Sequence, residues 1–279
     1  MSMFDPTLTD FSRLCLHTIT TKPLEIEKAA ELYAKESIPA ITVWRQALEG
    51  RNIDETGRML RAHNLRIVSL CRGGFFPHRD QSAREKAIED NKRAIDEAAA
   101  LGAPLIVLVC GASPDQPLEI SRDQIRNGIE AVLPHAERHN IRLAIEPLHP
   151  MYADTRSAIN TLRQANQMAE RIDSPFVGVA VDVYHLWWDP DLEKEIQRCG
   201  TAGNIFAFHV CDWRVPTEDL LLDRGLMGEG CINIRQIRGW VEAAGFSGDI
   251  EVEIFSKRYW QGNQREFIKK IKRAYLECV

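Results

Sequence analysis

A single (β/α)8 barrel is the fold this sequence predicts, on three observations. Eight short apolar runs recur along 279 residues at a mean spacing of about 35, enough for one strand, one helix and two connections. A stretch with helical apolar periodicity follows each run. Four runs close on a polar residue: Glu146 after IRLAI, Asp182 after VGVAV, His209 after IFAF, and Glu253 near the end of DIEVEIF. In a closed parallel barrel the carboxyl ends of the strands converge, so these four meet although they are far apart in the chain.

The first run, LCLHTIT from Leu14 to Thr20, leads into PLEIEKAAELYAKES, where Ile26, Ala29, Ala30, Tyr33 and Ala34 share one helical face. AITVW precedes a helix expected from Asn52 to His63, and LRIVSLC one from Ser82 to Leu101. PLIVLVC is followed by a helix from Arg122 to His139, IRLAIE by one from Thr155 to Arg171, and VGVAVD by one from Pro190 to Cys199. IFAFHV opens a longer loop before a helix from Ile234 to Gly245. DIEVEIF and a helix from Gly262 to Glu277 complete the set. Right-handed crossovers close such repeats into a barrel. An open doubly wound sheet would need a phosphate-binding fingerprint or a topological switch, and neither is evident. No linker interrupts the pattern, so residues 1–279 read as one domain.

The long, polar or aromatic connections GASPDQP, EPLHPMYAD, DVYHLWWDP and CDWRVPTEDLLLDRGLMGEG all follow strand ends, whereas RHN and DSP, which precede strands, are short. Function is therefore expected on the carboxyl face of the barrel. Composition narrows its class. With 44% hydrophobic and 27% charged residues the chain is an ordinary globular one. A net charge of -5 with the signs interspersed gives no basic field for nucleic acid. The opening MSMFDPTLTD is polar and later apolar runs are strand-sized, so neither export nor membrane insertion is expected, and the expected location is cytoplasmic. Seven scattered cysteines without a CxxC pair exclude zinc-finger, iron–sulfur and disulfide frameworks. Strand alternation is expected to turn Cys211 away from the site.

Three carboxylates and an imidazole are ligands for a divalent cation. Singly, each would be read as a helix cap, an ion-pair partner or a surface group. Four at corresponding strand ends are better explained by a metal, because burying them unpaired is costly. Glu251 faces the same side as Glu253 and competes with it. Glu253 is preferred as nearer the strand's end, while Ala144, Ala180 and Ala207 leave room for Glu251 one layer below, beside a charged core partner. His185, three residues beyond Asp182, is a candidate for a substrate oxygen or for support of the metal. The alternative is a structural histidine. His149 and His17 are weaker candidates, and His63, His135 and His139 fall in helical stretches. Arg214 could place positive charge over a substrate oxygen, or pair with Asp212, Glu218 or Asp219. Trp44, Phe76, Trp187, Trp188 and Trp213 could form apolar walls.

Through LAIEPLHPMYAD, VAVDVYHLWW, FHVCDWRVP, GLMGEG and GDIEVEIF, the chain resembles the xylose-isomerase-like TIM-barrel superfamily, especially its ketose epimerases and inosose isomerases or dehydratases. The resemblance extends in outline over nearly the full length. It implies that Glu146, Asp182, His209 and Glu253 bind one divalent metal, with manganese placed first and magnesium, cobalt or zinc as alternatives. It implies that His185 and Arg214 contact substrate. It also implies that Glu146 and Glu253 handle protons on opposite sides of a carbon next to a carbonyl. Where some ketose epimerases read EPLNRYE this chain reads EPLHPMYAD, so the acidic position near Tyr152 is not plainly kept and the resemblance is closer to the inosose-processing branches.

The expected activity is isomerisation or epimerisation of a keto sugar or keto polyol through a metal-stabilised cis-enediolate. The same intermediate could expel water, making dehydration the runner-up. Apurinic-site nuclease chemistry ranks lower without a basic groove, and a non-catalytic sugar- or metal-binding barrel stands as the alternative from another class. The expected partner is a small molecule, with a homo-oligomer left open.

Overall fold

A computed structural model describes residues 7–279; the residues before Thr7, most of the polar opening of the chain, lie outside them. Eight parallel strands close into a barrel: β1 (Leu14–His17), β2 (Ala40–Trp44), β3 (Arg66–Gly74), β4 (Leu105–Val109), β5 (Arg142–Glu146), β6 (Val177–Asp182), β7 (Ile205–Val210) and β10 (Ile250–Val252). β8 (Asp212–Trp213) and β9 (Arg224–Gly225) form a small antiparallel ribbon in the loop after β7. β1 pairs with both β2 and β10, so the first and last barrel strands share the closing seam. The predicted (β/α)8 architecture is the observed one.

The helices of the outer layer are α1 (Ile26–Lys35), α2 (Ile53–Ala62), α3 (Gln81–Leu101), α4 (Leu118–His139), α5 (Leu162–Ile172), α7 (Leu192–Thr201), α8 (Ile234–Ala243) and α10 (Gln264–Cys278). Two single-turn helices, α6 (Val183–Leu186) and α9 (Lys257–Trp260), follow β6 and β10 at the mouth. Side-chain caps fix several starts: Asn52 accepts from the Glu55 amide, Asp80 from Ala83, Thr161 from Gln164 and Asn263 from Glu266. The Thr161 cap explains one departure from expectation. Residues 155–161 are not helical, because Ser157 and Asn160 bond local backbone and the Ala158 amide bonds Gly111. Conversely α4 starts earlier than expected, at Leu118, and the last barrel strand is confined to Ile250–Val252.

The runs are rich in Val, Ile and Leu because both strand faces are buried, one against helices and one inside the barrel. Leu105, Val107, Ala144, Ala180 and Ala207 pack together with Trp44 and Cys71 in one core cluster, whereas Leu, Ile and Val side chains from the strands pack in a larger one with the helices. Small alanines let polar side chains enter the interior. Close helix packing needs a glycine at one crossing: a Cβ on Gly57 would lie 2.3 Å from the Leu101 carbonyl oxygen, where α2 meets the end of α3. Among the described residues no helix is long and apolar enough to cross a membrane.

Candidate metal centre

Glu146, Asp182 and His209 end or nearly end their strands, and Glu253 follows β10, its amide donating to the Val210 carbonyl. One ligand atom from each of these four lies within 4.8 Å of the others, and all four residues are buried. The barrel thus brings together the four residues read as ligands. Asp182 also caps α6, accepting from the Tyr184 amide at 2.8 Å. His209 turns Nδ1 toward Glu146, 3.1 Å from Oε1. Its other nitrogen, Nε2, has no hydrogen-bond partner and faces Glu251 Oε1, also without one, at 3.7 Å. A histidine that binds a metal through one nitrogen commonly presents the other N–H to such a carboxylate.

Glu251 stands opposite His209 in the register of β10 with β7. Its Oε2 accepts from Thr42 at 2.5 Å and lies 3.0 Å from His17 Nε2. His17 is the charged core partner: its Nδ1 is 3.0 Å from Glu253 Oε1, so one ring spans the two glutamates. Burial alone would lower its pKa, but Glu253 and hydrogen bonds with Cys71 and Glu251 prevail and hold it well above the usual imidazole range.

The electrostatics suit a divalent cation. Four carboxylates, Glu146, Asp182, Glu251 and Glu253, are buried together, and a buried guanidinium, that of Arg224, meets two of them, Asp182 and Glu253. Protons make up the deficit. Asp182 is pushed up to about 7, chiefly by burial, with Glu253 and Glu146 adding to it against Arg224. Burial disfavours a charged His209, yet Glu251 and Glu146 raise it to about 9. Glu253 is held well below the usual carboxylate range: burial opposes this, and the charges of His17 and Arg224 outweigh it. The donor set, orphaned Nε2 and charge deficit all suit a divalent ion.

Arg224 was not singled out from sequence. It sits on β9, at the start of the RGLMGEG stretch, and its Nη1 donates to Glu253 Oε2 at 2.7 Å and lies 3.3 Å from Asp182 Oδ2. Its Nη2 is 3.1 Å from His185 Nε2, and its guanidinium covers the rings of Tyr184 and Phe255. Only its place in a loop rich in charged residues could have marked it. Burial, reinforced by Arg224, depresses His185 well below the usual imidazole range, so it is neutral beside the cluster. Arg214 does not join the four ligands; its Nη1 pairs with Asp223, a partner not foreseen. Cys211 departs from expectation. It stands two residues beyond His209, so alternation carries it to the same face, and Sγ lies 3.9 Å from Arg224 Nη1.

The loop bearing Arg224 is tied down by Asp212, whose carboxylate accepts from the amides of Trp213, Gly228, Gly230 and Ile232 at 2.8–3.0 Å. Trp213 stacks on Tyr184 and meets Trp187 and His149, and Trp188 also meets His149, so three of the five expected aromatics form a wall at the mouth. Trp44 lies within the barrel core, its indole N–H 3.2 Å from His17 Nδ1, and Phe76 packs against Gly128 of α4. A separate trio, Asp96, His135 and His139, lies on the outside between α3 and α4, with His135 Nε2 2.7 Å from Asp96.

Comparison with known proteins agrees with this architecture. An inosose isomerase of Halalkalibacterium halodurans is 26% identical over 241 residues, covering 83% of this chain and 82% of the relative. The crystal structure of a Sinorhizobium meliloti 1021 protein superposes with a TM-score of 0.93 at 46% identity, covering 96% of this chain and 99% of that one. The structure of the IOLI protein with a bound zinc atom shares the fold, with a TM-score of 0.84 at 21% identity over 95% of this chain and 97% of that one. The family model described as xylose isomerase-like TIM barrel matches residues 28–274, and the chain belongs to that family.

Proposed function

We propose that this protein is a divalent-metal-dependent isomerase or epimerase of a keto sugar or an inosose-like keto polyol, moving a proton at the carbon beside a carbonyl. The observation that carries the reading is the buried cluster of Glu146, Asp182, His209 and Glu253 at the mouth of the barrel. The inosose isomerase among its relatives supports the substrate class. Those four residues would hold the cation; manganese is placed first, and three oxygen donors with one imidazole also suit magnesium, cobalt or zinc. When bound, the cation supplies positive charge for the substrate oxygen that becomes negative as the carbon-bound proton leaves.

The remaining work falls to the chain's own groups. Glu146 and Glu253 approach from different strands, β5 and the end of β10, so one takes the proton and the other returns one. His17 and Glu251 fix the orientation of Glu253 and His209. His185, kept neutral and held by Arg224, meets an oxygen of the substrate, and Arg214 reaches it from the loop while held by Asp223. The wall of Tyr184, Trp187 and Trp213 excludes water on one side.

The test is a screen of keto sugars and inososes with manganese-supplemented protein in deuterated water. The expected result is deuterium at a carbonyl-adjacent carbon in a product isomeric with the substrate. Loss of water would assign a dehydratase instead. Metal binding with no exchange on any compound would reduce the protein to a binding barrel.

A further inference from the structure

Arg72 and Arg156 stand out because, among the described residues, neither makes an ion pair or donates a side-chain hydrogen bond. Most other arginines near the barrel mouth are satisfied: Arg45 by Asp90 and Glu97, Arg214 by Asp223, Arg224 by Asp182 and Glu253. Both free guanidinium groups are partly buried and both lie over aromatic rings, Arg72 at 4.2 Å from the centre of Phe75 and Arg156 at 5.5 Å from that of Tyr152.

The backbone delivers them to one place. Between β3 and β4, Cys71 pairs with Val107 and Gly73 with Leu108, so Arg72 is the extra residue of a bulge, a device that re-aims a side chain. Gly74 and Phe75 then adopt left-handed conformations, and the Phe75 amide bonds the Val109 carbonyl. Phe75 lies against Gly111, where a Cβ would come within 2.7 Å of the Phe75 Cα, and the Gly111 amide donates to the Arg156 carbonyl at 2.8 Å. Phe75, Tyr152, Met151, Val109 and Leu148 form one cluster. Val109 is the register partner of Glu146, and Tyr152 meets His185 at 5.9 Å, so this arc borders the metal centre. Burial lowers the pKa of Arg72, and the charge of Arg156 lowers it further while Glu146 opposes both. The two guanidinium charges thus act on each other, and Glu146 is a carboxylate whose charge also reaches Arg72.

We propose that Arg72 and Arg156 form an anion subsite at the rim of the metal centre, binding a carboxylate or phosphate group carried by the substrate. The inference rests on the reading of the mouth as a substrate site and narrows the substrate to an anionic keto sugar or keto polyol. Guanidinium forks suit both oxyanions, and the aromatic rings beneath limit competing hydration.

Isothermal titration of the full, metal-loaded chain with inorganic phosphate and with malonate tests it. Saturable binding of at least one anion is expected, weakened about tenfold or more in Arg72→Met and in Arg156→Met. The remote exposed variant Arg58→Met should bind as the parent does. Preference for phosphate assigns a phosphate ester, and preference for malonate a carboxylated substrate. Arg72→Gln and Arg156→Gln repeat the measurement with a polar side chain, and affinities are read only from variants whose melting curves show a folded protein. Absence of saturable binding, or binding equal in the parent and in folded variants at both positions, overturns the proposal. Metal content is measured on the same samples. Loss of metal binding in the parent would defeat the metal-enzyme reading, while the titration would still report on the arginine pair.

Discussion

Arg224 places one positive charge against two carboxylates that a divalent ion would also bind. Its removal in Arg224→Met takes the buried cation from Asp182 and leaves Glu253 with His17 alone, and breaking a buried pair costs about 3–5 kcal/mol. Melting of the metal-free variant should therefore fall well below that of the parent, and added manganese should recover more stability in the variant. Equal metal-induced shifts would show that Arg224 does not neutralise the site. Glu251 faces His209 Nε2 at 3.7 Å, and on the proposed reading it supports that ligand. Glu251→Gln should weaken metal affinity about 10–100-fold, measured by competition with a chelator, while a folded barrel is retained. For Glu146→Gln and Glu253→Gln, turnover should fall severely. Metal content measured in a His139→Ala background, which disables the outer trio, separates loss of a proton carrier from loss of the ion.

The loop from Asp212 to Ile232 is organised around one carboxylate that collects four amides, and the tie to Gly228 and Gly230 sets where Arg224 can lie. In Asp212→Ala those amides lose their acceptor, so hydrogen exchange at Gly228, Gly230 and Ile232 should accelerate while the amides of β5 and β6 stay protected. Uniform acceleration would mean that the loop is not a separate unit. On the outer layer, Gly57→Ala forces α2 away from the Leu101 carbonyl, at a cost of about 1–3 kcal/mol in denaturant unfolding. The strands and most helices were legible because apolar runs and helical periodicity are local properties. So were the four clustered residues, each of which closes a run. Arg224 was not, since it lies on a two-residue strand, and His17 read only as a weaker candidate because it faces Glu253 across the closing seam. The late start of α5, at Leu162 rather than Thr155, was hidden likewise, being decided by the bond of Ala158 to Gly111.

Barrel closure joins the most distant parts of the molecule, and the site inherits that dependence. A cation that binds only the closed form stabilises it by about 2.7 kcal/mol when present at a hundred times its dissociation constant. Stripping metal with a chelator should accordingly lower the melting temperature reversibly, and an unchanged melt would argue against a resident ion. His17 leaves β1 to grip a glutamate at the end of β10, so two of the centre's supports come from opposite ends of the described chain. During synthesis Glu146, Asp182 and His209 emerge well before Glu253, and the N-terminal strand has no edge to close against until β10 appears. A complete coordination shell therefore cannot exist on a partly made chain. If a cation binds at these four residues, its capture waits until Glu253 and β10 have been made.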